Sequence, residues 1–213
     1  MFCRMTIARA ATALTVAMLI VGCGTTSRPI GDYEPFSDLS GLVLDESQSP
    51  TLIYRRPNAP GLDAYTAFIV DEVKIDTRDP DAKKLAPQDA ERIQSYFRDR
   101  LTNELHEGGY TIADTPGEQT MRISFVLSGL KVPTAAANVT LVLAPVAMSV
   151  GGVTVEGTFR EAMSNRTDAV AIDRSVGSRV LNPTPWSTWD DVESALAKWA
   201  KGIRESVDKA HGK

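Results

Sequence analysis

The chain is 213 residues long and carries 23 Lys and Arg against 27 Asp and Glu, a formal charge of −4. That acidic balance excludes a nucleic-acid binder, which needs a basic face to neutralise phosphates. The two cysteines, Cys3 and Cys23, sit at the N-terminus and leave no thiol pair for the body of the chain, so its fold rests on a hydrophobic core even in an oxidising compartment.

Residues 1–22 have the parts of a secretory signal. Arg4 and Arg9 give a positive start, and no acidic residue precedes Asp32. Ala10 to Val21 is an uncharged, mostly apolar run of about a dozen residues, the length of a signal core and too short to span a bilayer. It ends in Ile20-Val21-Gly22-Cys23, which resembles the bacterial lipobox, with Ile20 and Val21 in place of the commoner Leu and Ala or Ser. The resemblance implies a diacylglyceryl group on the Cys23 thiol, cleavage before Cys23 and acylation of the freed amine. Two chains suffice for stable anchoring, at about 0.8 kcal/mol per buried methylene. Cys23 is therefore the expected lipidation site and a lipid bilayer the expected partner. Gly24 stands where Asp would resemble an inner-membrane retention signal, so a Gram-negative source implies the periplasmic face of the outer membrane. Cleavage leaves 191 residues with 21 basic and 27 acidic side chains, a charge of −6.

Residues 23–38 read as the lipidated N-terminus and a flexible tether, rich in Gly, Thr, Ser, Pro and Asp, with an r.m.s. reach of roughly 20 Å. Residues 39–213 read as a single domain. Ser40 to Leu44 and Thr51 to Tyr54 are short extended pieces between Pro-containing turns. Tyr65 to Asp76, with Phe68, Ile69 and Val70 in succession, predicts a strand covered on both faces. Pro87 to Glu107 predicts a helix, with Pro87 in its first turn, Gly108-Gly109 as its stop and Ala90, Ile93, Phe97, Leu101 and Leu105 as its buried stripe.

Tyr110 to Ile112 and Thr120 to Val132 read as strands, the second changing phase at Gly129 as a β-bulge would make it. Thr154 to Met163 and Asp168 to Val176 form a predicted hairpin around Ser164 to Thr167, with Val170, Ile172 and Val176 in one phase. A closing helix, Thr188 to Ala210, buries Trp189, Val192, Leu196, Trp199, Ile203 and Val207, with Thr188 as its cap. The expected class is α+β: a two-layer sandwich with a mixed or largely antiparallel sheet of about five strands and two helices on one face.

Ser40-Gly41-Leu42, Leu52-Ile53-Tyr54-Arg55-Arg56-Pro57 and Asp71-Glu72-Val73 resemble the N-terminal half of the domain of unknown function 3313 lipoproteins. Trp186-Ser187-Thr188-Trp189-Asp190-Asp191-Val192-Glu193, with Ala195 and Trp199-Ala200, is similar to that family's closing helix. The resemblance spans about Ser37 to Arg204 and implies a bacterial secreted lipoprotein. It implies no activity and no functional residues.

Catalytic groups are sparse. His106 lies in the last turn of the first helix and His211 in the expected frayed C-terminus, and neither has a nucleophile elbow to serve. Asp71, Asp76, Asp79 and Asp81 crowd one strand end, but without calcium-loop spacing they read as a solvated turn. No catalytic residue, metal or cofactor is expected. Arg174 falls on the apolar phase of its strand, so it is expected in the core with a carboxylate partner. Trp186 is expected as a core plug, with an exposed anchor at an interface as the alternative.

Val132 to Val155 is uncharged for 24 residues, with prolines and glycines that break a membrane helix. It reads as a crossover over the core. Its sharper reading is an apolar interaction patch of Leu141, Val142, Leu143, Val146 and Met148 for a partner or membrane surface. The function expected is a membrane-anchored periplasmic lipoprotein acting as a non-enzymatic binding or envelope-assembly module, with an unknown envelope protein as partner. The alternatives are a carboxylate-dependent hydrolase of envelope material, which needs a cleft holding two acids, and a carrier for an apolar ligand, which needs a cavity between sheet and helices.

Overall fold

The computed structural model describes residues 26–27, 33–130, 152–176 and 189–213. In chain order these form β1 (Thr26–Ser27), β2 (Val43–Leu44), β3 (Leu52–Arg55), β4 (Ala67–Val70), β5 (Lys74–Ile75), α1 (Pro87–Glu107), β6 (Thr111–Ile112), β7 (Thr120–Ser128), β8 (Gly152–Glu161), β9 (Thr167–Val176) and α2 (Asp190–Ala210). The class is α+β.

Among the described residues the sheet has nine strands, not five, ordered β2-β3-β9-β8-β7-β4-β6, with β1 on β9 and β5 on β7. The excess comes from two-residue strands, too short to show a period, and from a split. The predicted strand Tyr65 to Asp76 pairs with β7 twice, as β4 and again as β5, with Asp71 to Val73 between them. Pairing is parallel for β4 with β6 and β7 and for β5 with β7, and antiparallel elsewhere. α1 is the crossover that parallel neighbours require.

Both helices lie on one face. α1 buries Ile93, Phe97, Leu101 and Leu105, each at 0% exposure, a contribution of about 1.5–3 kcal/mol per side chain. They share one core with Phe68, Ile123, Phe125, Leu127 and Val155 of the sheet and with Val192, Leu196, Ala200 and Val207 of α2. Arg92–Glu193 and Arg204–Glu104 ion pairs, at 2.7 and 2.9 Å, tie the helices together. α2 starts at Asp190, with Trp189 rather than Thr188 at the cap position and no side-chain cap bond.

No bulge lies at Gly129. The β7–β8 register is unbroken from Met121 to Ser128, and the strand then ends as Gly129 takes φ +64 and donates its N–H to Asp79 Oδ2 at 3.1 Å. That left-handed turn resets the side-chain phase and brings Leu130 back into the core. The register shift of the sheet lies instead between Phe159 and Arg160, opposite Asp168.

The outer face of the sheet is also covered. Tyr33, Leu39 and Leu42 pack with Leu52 and Tyr54 over Val170 and Ile172 of β9. Glu156 of β8, 1% exposed, accepts from the Tyr33 hydroxyl (3.1 Å), Phe36 N–H (2.9 Å) and Ser37 N–H (2.7 Å). The Ser37 and Thr158 hydroxyls are 2.5 Å apart, and Arg78 stacks on the Phe36 ring at 3.6 Å. Residues 33–38, assigned to a flexible tether on composition, are thus a strap across the sheet. Their partner is about 120 residues away in sequence, and composition carries no trace of it.

Candidate functional site

β9 has two unlike faces. Val170 and Ile172 point outward beneath the strap, while Ala169, Ala171, Asp173 and Ser175 face the helix side. Across the sheet on that side run Ile53, Ala171, Gly157 and Phe125, paired neighbour to neighbour. The row changes from large to small in its middle. Gly157 is small for a reason: a Cβ there would meet Phe125 Cε1 at 2.9 Å and Phe159 Cε2 at 3.2 Å, so the Phe125 ring lies over it.

Small residues on β9 leave space that α2 does not fill. The result is a groove of about 520 Å³ between α2 and strands β3, β9 and β8. Its floor is Ile53, Ala169, Ala171 and Phe159; its wall is Trp199, Gly202, Ile203 and Ser206 of α2; Arg56 to Leu62 closes one end. Periodicity predicts Trp199 and Ile203 as core residues. They do touch the core, but each is only half-buried and also lines the groove.

Two carboxylates face this space. Asp173, 5% exposed, accepts from the Thr51 hydroxyl at 3.2 Å and from Trp199 Nε1 at 3.0 Å. Asp168, also 5% exposed, accepts from the Tyr65 hydroxyl at 2.7 Å and from Arg166 Nε and Nη2 at 2.7 and 3.2 Å. Burial and the Asp168 bond push the Tyr65 phenol well above its ordinary range, and the carboxylate in turn holds the Arg166 guanidinium protonated. The bulge opposite Arg160 is what turns Asp168 toward Tyr65. Both acids therefore act as acceptors for groups of the fold, the first fixing the indole of the groove wall.

A second, polar cleft of about 420 Å³ lies beyond β4 and α1, where Asp71, Glu72, Asp99 and Asp114 meet Arg98 and Arg122. Arg122 Nε is buried there without a hydrogen-bond partner, 3.9 Å from Asp71 Oδ1, while Asp71 accepts from the Ser124 hydroxyl at 2.6 Å.

Cys23, the patch residues Leu141, Val142, Leu143, Val146 and Met148, and Trp186 lie outside the described residues. Arg174 is exposed, contrary to expectation. It does share a phase with Val170 and Ile172, but that phase faces the strap side of the sheet and not the helices. The four aspartates of the strand end serve separate partners: Asp71 holds Ser124, Asp76 holds Arg78, Asp79 holds the Asp81 and Gly129 N–H groups, and Asp81 holds Lys84. Among the described residues no group of three or more His, Cys, Asp or Glu is placed to hold a metal ion. His106 is exposed. His211 is not frayed: its Nε2 sits 3.0 Å from Tyr65 O and its ring packs on Tyr110, while Lys213 Nζ donates to Gly108 O at 2.7 Å. Among the described residues no helix is long and apolar enough to cross a membrane.

Residues 32–203 match the model of DUF3313, a protein family of unknown function. The chain belongs to the DUF3313 family. No curated protein matches this DUF3313 member. Solved structures similar to it include the following. The PelC dodecamer from Paraburkholderia phytofirmans has 12% identity over 74% of this chain and 96% of that one, with a TM-score of 0.43. Protein XCC0632 from Xanthomonas campestris, of family DUF330, has 9% identity over 75% and 94%, TM-score 0.44. A minor lipoprotein from Acinetobacter baumannii has 12% identity over 68% and 92%, TM-score 0.27. Such distant likeness does not extend to function.

The groove itself is not evident in the sequence. Its signals are individually weak: a glycine inside a 21-residue helix and two alanines in phase on a strand otherwise rich in β-branched residues.

Proposed function

We propose that this DUF3313 member is a lipid-anchored binding protein of the bacterial envelope that holds an apolar ligand in the groove between α2 and β9. The observation that carries the reading is the groove: about 520 Å³, within the size range of small-molecule sites, with an apolar floor and a few polar groups at its ends. The reading is non-enzymatic: Asp168 accepts from Tyr65 and Arg166 and Asp173 from Thr51 and Trp199, so both carboxylates already serve the fold. Acylated Cys23 places the protein on the periplasmic face of the outer membrane.

Titration with an environment-sensitive fluorescent fatty acid tests the binding. Saturable, single-site binding that Gly202→Trp removes is the expected result. A folded protein that shows no saturable binding would end the reading. Cys23→Ser tests the anchor: the variant should leave the membrane fraction and lose the mass of its acyl groups.

A further inference from the structure

We propose that the groove takes one acyl chain of a glycerophospholipid from the leaflet in which Cys23 is anchored, entering at the Ser175 end of β9; this rests on the two readings just given, the acylated Cys23 and the apolar-ligand groove. The argument starts from β1. Thr26 pairs with Val176 and Ser27 with Ser175, so the chain leaves the sheet at the C-terminal end of β9. Only three residue steps separate Cys23 from Thr26, and they span at most about 11 Å. An acylated Cys23 therefore brings the membrane interface within that distance of the β9 end. The domain does not hang on a long free coil, because the strap has already taken up Tyr33 to Ser37.

Ser175 is also a groove residue. The groove runs from it along β9 to Ala169, six residues further back and about 20 Å at strand rise. α2 lies antiparallel to β9: Trp199 bonds Asp173 near the entrance, while Val207 and Ser206 line the groove beyond Ile203. Polarity changes along this path. Thr51, Asp173, Ser175 and Lys198 gather at the end near the interface, Ile53, Ala171 and Ile203 lie further in, and Arg56 and Asp168 close the far end.

From the entrance to the middle of the groove this is the order of a phospholipid. Its ester and glycerol oxygens would stay among the entrance groups at the interface, while one acyl chain turns out of the bilayer into the apolar part. The exposed Arg174, next to Ser175 and on the outer face, presents a cation to headgroup phosphates. An apolar groove in water is a liability that such a chain would remove. Gly202 lines the groove and is exposed, and a Cβ there has no heavy atom within 4 Å, so a large side chain at this position has room to occupy the groove.

The test uses lipidated protein in vesicles of phosphatidylethanolamine and phosphatidylglycerol, doped with a phosphatidylethanolamine bearing a diazirine near the end of one acyl chain. After irradiation, label is expected on the peptides containing Ile53, Ala171 or Ile203. Gly202→Trp should reduce it at least about tenfold, the loss that 1.4 kcal/mol of binding would give. Ala171→Leu, which raises the floor, is the second variant should the first fail to fold by circular dichroism. With Cys23→Ser, labelling from vesicles should be lost while a water-soluble, short-chain diazirine fatty acid still marks the same peptides.

Label confined to other peptides, or unmoved by both groove variants, overturns the proposal. So does stronger groove labelling of Cys23→Ser than of the lipidated protein, which would mean that the protein's own acyl chain fills the site. If the short-chain probe marks the groove and the vesicle lipid does not, the membrane route alone falls. If neither marks it, the binding function falls as well.

Discussion

Glu156 is an anion on the outer face of a sheet with 1% of its surface exposed, and its two oxygens meet three donors from the strap. A glutamine there keeps one acceptor oxygen and turns an amide toward either the Phe36 or the Ser37 N–H. Glu156→Gln should therefore lower stability by about 1–3 kcal/mol, because a buried donor loses its partner. The change is read as a lower urea midpoint with faster proteolysis between Tyr33 and Leu42. Gly157, one residue on, faces the other layer. Gly157→Ala would put a methyl 2.9 Å from the Phe125 ring, and the strain should cost about 1–3 kcal/mol in the same measurement. Neither role is visible in the sequence, where Val155-Glu156-Gly157 reads as an unremarkable stretch of strand. What makes the pair legible is who sits opposite: Ile172 and Ala171 on β9, Val126 and Phe125 on β7.

At the scale of elements, the two helices were predictable because their signal is local. Pro87 opens α1 and Gly108-Gly109 closes it, and its stripe recurs at helical spacing. The β8–β9 hairpin was legible for the same reason, from alternation on each arm and a turn at Asn165, which takes φ +58. β9 shows where such reasoning stops. Its period-two phase was read correctly, but alternation does not say which face meets the helices. Val170 and Ile172 mark an apolar phase, and that phase is the strap side. The groove follows from that orientation, since the helix side of β9 then carries alanines. In α2 the corresponding feature is Gly202, a helix-interior glycine with open space beside it. Gly202→Ala should stabilise the protein by about 1 kcal/mol, because alanine loses less backbone freedom in a helix. Thermal denaturation with the groove ligand absent is the measurement, and no gain in Tm would mean the position is not an unstrained helical one.

The molecule as a whole is fastened at several places by tyrosine hydroxyls, and alkali should find them. The Tyr110 phenol, buried and bonded to Asp208 at 2.8 Å, is pushed up to about 12. Tyr33 and Tyr65 are raised too, by burial first and then by Glu156 and Asp168 respectively. An unfolded tyrosine ionises near pH 10, at roughly the model-peptide value. A folded pKa above that value means the stabilisation is fully present below about pH 10 and is lost as the pH rises toward the folded value. Stability should thus fall steeply above about pH 10, with phenolate absorbance appearing together with the loss of near-ultraviolet circular dichroism. Tyr110→Phe should make that fall shallower.

The β1 pairing has a mechanical side. Thr26 and Ser27 lie antiparallel to Val176 and Ser175, with Thr26, the residue nearer Cys23, at the C-terminal end of β9. Drag on an anchored protein then pulls β1 lengthwise, so its cross-strand bonds are sheared together instead of being peeled one at a time. Behind β1 the same tension meets the clasp at Glu156, which grips the chain at right angles to the sheet. A domain held this way would keep its attitude to the surface under flow and crowding, and under force β1 would yield first and the strap next, with the helices and the groove still intact.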